Sequence, residues 1–210
     1  MTYHHTRCSC QKTKHKSKRI VLTGGPGAGK TAILEMVRHM LCPHVAILPE
    51  SASILFGGGF WRKPDLPAKK AAQRAIYYVQ REQEQMLQEE HEKAIVLCDR
   101  GTLDGLAYWP SSTKSFFNQV HSARENELMR YDTVIHLRTP ARDQGYDLSN
   151  PVRIESAEES LAIDLLIEAA WHGHPHRYFV PSADSFMEKA RYALGLIQKE
   201  LPSCCGNILT

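Results

Sequence analysis

Five short apolar segments alternate along the chain with longer stretches whose apolar residues recur at helical spacing. The apolar segments are residues 20–23, 45–49, 94–98, 133–137 and 177–181. Short continuous apolar runs predict strands that are buried on both faces, and their alternation with helices predicts a parallel sheet covered by helices on both sides. Ligands bind such a sheet at the carboxyl ends of its strands. The pattern therefore predicts a single α/β domain, residues 19–202, with its functional site at that edge.

The predicted helices are marked by their boundaries. Pro43 ends the first helix, and the longest helix covers about residues 68–91. Two capping boxes, Ser156-x-x-Glu159 and Ser185-x-x-Glu188, open the last two helices. The expected buried sides carry Ala72, Ile76, Val79 and Met86 on the longest helix and Phe186, Ala190, Leu194 and Ile197 on the last one.

A glycine-rich turn joins the first strand to the first helix, and residues 24–31 read G-x-x-x-x-G-K-T. Small residues let successive backbone N–H groups converge on one anion at the helix N-terminus. A simple turn or a dinucleotide fingerprint does not explain a Lys-Thr pair at the helix entrance. The motif predicts a P-loop that holds the phosphates of ATP or GTP. The expected binding residues are Gly24, Gly25, Pro26, Gly27, Ala28, Gly29, Lys30, Thr31 and Ala32.

Charged residues follow the third strand directly. Asp99 stands where a P-loop enzyme needs a carboxylate near its metal, so Thr31 and Asp99 are the expected Mg²⁺ residues. Lys30 is expected at the β and γ phosphates, and Arg100 near the γ phosphate. A surface ion pair is the alternative interpretation of Arg100.

Glu50 closes the second strand and has Ser51 and Ser53 beside it. A kinase needs a group that positions the acceptor hydroxyl and receives its proton, whereas a hydrolase needs only a positioned water. Glu50 is the candidate for that role, and the alternative is that it only caps the following segment.

Three arginines flank a polar segment after the fourth strand: Arg138, Arg142 and Arg153. Mobile guanidinium groups that close over a triphosphate neutralise developing charge, so this segment is expected to be a lid, with Arg138 and Arg142 as catalytic candidates. Solvated loop charges are the alternative. Phe60 and Trp61 are expected either to line the acceptor pocket or to pack in the core. Purine contacts are expected from residues 180–186.

Charge and cysteine content add less to the interpretation. The formal net charge is +3, but residues 1–19 carry six Lys or Arg residues and no acidic residue. The first 18 residues therefore predict a basic, disordered tail, with anionic lipid or a protein as the open partner; we do not expect nucleic acid. Cys8 and Cys10 with nearby histidines are a weak metal candidate, and residues 203–210, with Cys204 and Cys205, form a second short tail. Buried, reduced thiols and the lack of an apolar leader or membrane span predict a cytoplasmic protein.

The motifs in order resemble the AAA-domain family that contains the ribosylnicotinamide kinase domain of bacterial NAD regulators. Those motifs are the P-loop, LPESAS, CDRGTLDGLAYW, RYDTVIHLRTP and RIESAEESLAID. Deoxynucleoside and thymidylate kinases are similar at greater distance. The resemblance implies strand order 2-3-1-4-5, Glu50 on the acceptor side, Asp99 and Arg100 beside the phosphates, and a lid after the fourth strand. In nucleoside kinases a proline commonly follows the acidic residue, whereas here Pro49 precedes Glu50.

The sequence thus predicts a magnesium-dependent enzyme that transfers the γ-phosphoryl group of ATP or GTP to a small hydroxyl-bearing metabolite, such as a nucleoside. A nucleotide-binding regulatory module with slow hydrolysis, attached to a membrane or a partner, is the alternative. Plain hydrolysis is the third candidate. The chain has no Asn-Lys-x-Asp string for guanine, which does not decide between ATP and GTP.

Overall fold

The computed structural model describes residues 15–40, 44–90, 92–140, 156–183 and 185–202. Most of the predicted N-terminal tail with its cysteines, the predicted C-terminal tail, and the lid candidates Arg142 and Arg153 lie outside these ranges. Within the described ranges, no helix is both long enough and apolar enough to cross a membrane.

A five-stranded, fully parallel sheet forms the centre of the protein. Its strands are β1 (Lys18–Thr23), β2 (Val45–Leu48), β3 (Ile95–Asp99), β4 (Thr133–Leu137) and β5 (Arg177–Val180). Their order is β2-β3-β1-β4-β5, which confirms the prediction. In this register Val21 of the central strand lies opposite Cys98 on one side and Val134 on the other.

Helices connect the strands and cover both faces of the sheet. They are α1 (Lys30–Met40), α2 (Ser51–Gly57), α3 (Leu66–Glu90), a 3-10 helix (Thr102–Tyr108), α4 (Thr113–Val120), α5 (Arg124–Leu128), α6 (Ala157–Ala170) and α7 (Phe186–Glu200). The hydrophobic pattern did not predict α2, the 3-10 helix, α4 or α5, which are too short to show a clear period.

Two apolar cores lie on opposite faces of the sheet because successive side chains of a strand alternate between faces. Ile20 and Leu22 of β1 belong to the core built with α1 and α7, whereas Val21 belongs to the core built with α6 and the 3-10 helix. All three side chains are fully buried. The two cores fix the carboxyl ends of β1, β3 and β4 relative to one another, which is the edge that carries the site.

The buried side of α3 differs from the predicted one. Its buried residues are Ala72, Tyr77, Gln80 and Glu84, and Met86, expected inside, is 55% exposed. The polar side chains of Gln80 and Glu84 can be buried because they are hydrogen-bonded. Tyr131 donates to Glu84 Oε1 at 2.7 Å, and Gln80 donates to the same oxygen at 2.9 Å.

The two predicted capping boxes have different outcomes. Ser156 and Glu159 exchange both hydrogen bonds of a capping box at the start of α6, as predicted. Ser185 occupies the N-cap of α7 without a side-chain capping bond, so the second box is wrong. Phe186 is likewise not part of the buried side of α7, since it is 43% exposed.

Candidate functional site

A tight glycine-rich loop joins β1 to α1. Gly24, Gly27 and Gly29 have φ values of 132°, 77° and 91°. At Gly24 a Cβ atom would lie 2.1 Å from the carbonyl oxygen of Leu137, so only glycine fits there. The loop therefore brings its backbone directly to the N-terminus of α1, where unpaired N–H groups and the helix dipole favour an anion.

The side chain of Lys30 folds back over this loop. Its Nζ donates to the carbonyl oxygens of Gly24 at 2.8 Å and Gly25 at 2.9 Å. Burial and the nearby Arg100 lower the pKa of Lys30 from 10.5 to about 8, although Asp99 and Glu50 oppose that shift. The ammonium group is thus held at the mouth of the loop in a place where an added anion would raise its pKa again.

Asp99 ends β3 beside this lysine and is nearly buried. Its Oδ1 atom is buried and has no hydrogen-bond partner among the described residues. Burial raises the pKa of Asp99 to about 6, against the lowering effect of Lys30 and Arg100. Thr31 lines the same cleft. A carboxylate oxygen without a hydrogen-bond partner and a threonine residue that lines the same cleft fit the oxygen ligands that Mg²⁺ takes from a protein.

The metal would gain few ligands from the chain itself. Among the described residues, no group of three or more His, Cys, Asp or Glu side chains could hold a metal ion. Mg²⁺ commonly keeps several waters and binds through one or two protein groups and substrate phosphates. The predicted pair Thr31 and Asp99 fits that kind of site.

Arg100 links the loop to the neighbouring strand end. Its backbone has a φ of 71°, unusual for a residue other than glycine. Its Nε donates to Glu50 Oε1 at 2.6 Å, and its Nη1 donates to the Gly24 carbonyl oxygen at 3.2 Å. Arg100 is therefore engaged inside the site, and the alternative of a surface ion pair does not describe it.

Glu50 is held on both carboxylate oxygens. Oε1 accepts from Arg100, and Oε2 accepts from Ser53 Oγ at 2.6 Å. Burial alone would raise the pKa of Glu50, but Arg100 and the Ser53 hydroxyl lower it below the ordinary value. Glu50 is thus ionised at neutral pH. Although it precedes α2, its side chain makes no capping bond, which disfavours the interpretation as a simple cap.

A cleft of about 630 Å³ is lined by Lys30, Thr31 and Glu50. Its lining also includes Phe56, Arg62, Gln73, Tyr77 and Tyr108. They combine aromatic surface with polar groups, as small-molecule sites commonly do.

Phe60 and Trp61 do not line the cleft. They are 37% and 73% exposed, so they are not core residues either, and both alternatives offered by the sequence are wrong. Phe56, four residues before Phe60, lines the cleft instead. The guanidinium carbon of Arg62 lies 4.9 Å from the centre of the Phe56 ring.

Arg138 lies on the other side of the loop. Its Nη1 contacts Glu168 Oε2 at 2.5 Å and Asp164 Oδ2 at 3.5 Å, and its guanidinium stacks on Phe179. It does not line the cleft. Its catalytic role, like that of Arg142 outside the described residues, stays a prediction.

Two buried aspartates were not assigned a role from the sequence. Asp104 accepts from Thr23 Oγ1 at 2.7 Å and from Trp171 Nε1 at 2.6 Å, which ties the 3-10 helix to β1 and α6. Asp164 accepts from the backbone N–H of Gly25 at 2.7 Å. The sequence did contain a signal for Asp164, which is a single carboxylate within an apolar stretch of a helix. Such a residue indicates a buried charge, and a buried charge needs polar partners.

Comparison with known proteins supports the same assignment of the fold. A family model described as AAA domain matches residues 19–189. Thymidylate kinase from Candida albicans is similar in structure, with a TM-score of 0.55 and 13% sequence identity over 88% of this chain and 92% of that one. At that identity the likeness shows the fold alone. No curated protein sequence matches the chain.

Proposed function

Because this chain belongs to the AAA domain family, whose model covers residues 19–189, we propose that it is a P-loop kinase for a small metabolite. It binds Mg²⁺ with ATP or GTP and transfers the γ-phosphoryl group to a hydroxyl group of the acceptor, for example a nucleoside. The fold supports nucleotide binding, and the further steps rest on the cleft.

The lining of the cleft by α2, α3 and the 3-10 helix as well as by the P-loop is the observation that carries this proposal. Hydrolysis needs room for one water at the γ phosphate, whereas transfer needs a pocket for an acceptor. Glu50 and the α3 residues Gln73 and Tyr77 line the same cleft as the P-loop. An ionised carboxylate therefore shares with the P-loop a cleft whose volume, about 630 Å³, is in the range of small-molecule sites.

The proposed roles follow from position. Thr31 and Asp99 would hold the Mg²⁺ ion, which would supply positive charge to neutralise the phosphates. Lys30 binds the β and γ phosphates, and Arg100 stabilises negative charge near the γ phosphate while its bond to Glu50 fixes that carboxylate. Glu50 accepts a hydrogen bond from the acceptor hydroxyl and takes its proton as transfer proceeds.

The nucleobase side is proposed to lie near the start of α7. A Cβ atom on Gly29 would lie 2.9 Å from Cε2 of Phe186, so this half-exposed ring sits directly against the P-loop. An aromatic ring beside the triphosphate can stack on a purine of either kind, which leaves ATP and GTP as equal candidates. Asp184, within the segment expected to contact the purine, lies outside the described residues.

Incubation of the protein with γ-labelled ATP or GTP, Mg²⁺ and a pool of nucleosides and small hydroxyl-bearing metabolites is expected to label one acceptor. The readout is a radiolabelled product that is separated from inorganic phosphate and identified by mass spectrometry. Label found in inorganic phosphate alone, with every pool component tested, would contradict transfer and favour hydrolysis.

The affinity for Mg²⁺-triphosphate is expected to fall as pH rises above about 8. The pKa of Lys30 is about 8 in the free protein, and bound phosphates raise it, so binding above that pH must take up a proton. Calorimetric titration at pH 7 to 9.5 in buffers of different ionisation enthalpy measures both the affinity and the proton uptake. The Lys30→Arg variant, whose cation does not titrate in this range, should lose this dependence.

A nucleotide-binding regulatory module is the alternative function. The exposed Phe60 and Trp61, next to the cleft residue Arg62, favour it because exposed aromatic groups commonly mark contact sites. Under that alternative the labelling experiment yields only slow phosphate release. The cytoplasmic location and any lipid or protein attachment through the basic tail also remain proposals that rest on the sequence.

A further inference from the structure

A buried carboxylate of α6 contacts the backbone of the P-loop. Asp164 is only 4% exposed, and its Oδ1 accepts from the N–H of Gly25 at 2.7 Å. The helix lies close to the loop, since a Cβ atom on Gly25 would lie 2.7 Å from the Ser160 carbonyl oxygen and 2.9 Å from Cβ of Asp164. There is no room for a side chain between α6 and this part of the loop.

The same peptide unit is held from its other side. The N–H of Gly25 and the C=O of Gly24 belong to one planar trans peptide, so they point in opposite directions. The Gly24 oxygen accepts from Lys30 Nζ at 2.8 Å and from Arg100 Nη1 at 3.2 Å. One peptide plane therefore has an anion on its N–H side and the two cations of the site on its carbonyl side.

Asp164 is itself fixed by neighbours from β4 and from the residues that directly follow it. His136 Nε2 of β4 lies 2.9 Å from Oδ1, and Arg138 after that strand lies 3.5 Å from Oδ2. Thr139 Oγ1 lies 3.4 Å from Oδ1. Burial alone would raise the pKa of Asp164, but the His136 contact and the Gly25 N–H lower it. The carboxylate is therefore ionised and has little freedom to turn.

Two consecutive glycines make this peptide easy to reverse in the absence of other constraints, because glycine has access to both signs of φ. A reversed peptide would turn the Gly24 oxygen toward the Asp164 carboxylate, where like partial charges repel, and would remove it from Lys30 and Arg100. The oxygen that Asp164 presents to the Gly25 N–H thus selects the orientation in which both cations are held at the mouth of the loop.

On the basis of the proposed function, we propose that Asp164 is a positioning residue of the triphosphate site. It holds the Gly24–Gly25 peptide in the orientation that places Lys30 and Arg100 for the phosphates. Asp164 acts through the backbone and does not touch the nucleotide. It also connects the P-loop to α6, the helix that follows residues 141–155.

The test compares Asp164→Ala and Asp164→Asn with the wild type in the full chain. The affinities for fluorescent ATP and GTP analogues with Mg²⁺ are measured by titration, and the amide proton of Gly25 is followed by NMR. Asp164→Ala removes a charged acceptor and is expected to weaken triphosphate binding about tenfold. Asp164→Asn retains an oxygen acceptor and should recover most of that affinity, to within about threefold of the wild type. In both variants the Gly25 amide proton should move upfield.

The matched control is Asp132→Ala. Asp132 Oδ2 accepts from the backbone N–H of Arg19 at 2.8 Å, which is the same kind of bond at the opposite end of β1. Its loss is expected to change the unfolding temperature without changing triphosphate affinity. An unchanged affinity in a folded Asp164→Ala protein, or an equal loss in Asp132→Ala, would overturn the proposal.

If Asp164→Ala does not fold, Asp164→Asn decides the question. Wild-type affinity together with an unshifted Gly25 resonance in that variant would also overturn the proposal. Both measurements need only nucleotide binding, so a failure to find a phosphorylated product would disprove the kinase activity without affecting this test.

Discussion

Replacement of Lys30 by methionine or alanine is expected to weaken Mg²⁺-triphosphate binding by at least about a hundredfold, since several charge-assisted hydrogen bonds to phosphate are lost together. In the free protein the ammonium lies against the Gly24 and Gly25 carbonyl oxygens at the mouth of the loop. Methionine preserves most of the stem volume, so this change removes the charge with little loss of packing. Equilibrium titration with fluorescent ATP and GTP analogues provides the measurement.

The fold should survive this substitution. Arg100 still donates to the Gly24 oxygen, so only the Gly25 carbonyl loses its donor.

Lys189 offers a matched control, because it is another buried lysine whose pKa burial lowers to about 8. Its Nζ donates to the Arg138 carbonyl oxygen, outside the cleft. Lys189→Met should therefore lower the unfolding temperature and leave triphosphate affinity within about threefold of the wild type, because Lys189 does not line the cleft. Wild-type affinity in Lys30→Met would refute the phosphate-binding interpretation of the loop.

The elements that the sequence predicted well are those specified by local information. The strands are continuous apolar runs, and the P-loop is a fixed spacing of glycines followed by Lys-Thr. Both can therefore be recognised from a short contiguous stretch of sequence. The parallel order of the strands came from the resemblance of the motifs to a known family, because residue patterns alone do not specify which strands pair.

The elements that the sequence missed depend on distant partners. Glu84 is a charged residue on a helix that looks amphipathic, yet it is fully buried because Tyr131 and Arg130, more than 40 residues away, bind its carboxylate. Asp164 contacts a glycine 139 residues earlier in the chain. Periodicity places such residues on the solvent side, and only the tertiary structure supplies the partners that make their burial favourable.

These buried polar groups form a continuous support beneath the cleft. Thr102 donates to Glu127 Oε2 at 2.7 Å, and Tyr77 donates to Glu127 Oε1 at 2.7 Å. Ser51, next to Glu50, donates to Gln80 at 2.8 Å. The helix α3 is thereby joined both to the 3-10 helix behind Arg100 and to the start of α2. The walls of the cleft are fixed by hydrogen bonds, which have stricter geometry than apolar contacts.

Glu50→Gln is expected to reduce phosphoryl transfer by about a hundredfold or more, the usual scale of general-base catalysis, with nucleotide affinity nearly unchanged. Glutamine keeps the shape and an oxygen that can accept from Arg100 or Ser53. It cannot take the proton of the acceptor hydroxyl. Because the transition state of phosphoryl transfer is loose and the proton moves late, a carboxylate with a low pKa can perform this role. Single-turnover transfer and triphosphate titration separate the two effects.

Two further variants, Ser53→Ala and Asp99→Asn, test whether the loss of transfer is specific to the Glu50 carboxylate. Ser53→Ala removes the hydroxyl that donates to Glu50 Oε2 but leaves the carboxylate, so transfer should fall by no more than about tenfold, the scale of one hydrogen bond. Asp99→Asn acts on the neighbouring strand, where Oδ1 is buried without a hydrogen-bond partner among the described residues, and should raise the Mg²⁺ concentration needed for half-maximal rate. If Glu50→Gln instead changed the Mg²⁺ requirement and Asp99→Asn did not, the two carboxylates would have exchanged roles. If Glu50→Gln left transfer unchanged, Glu50 would be only the ion-pair partner that orients Arg100, and the acceptor proton would leave by another route.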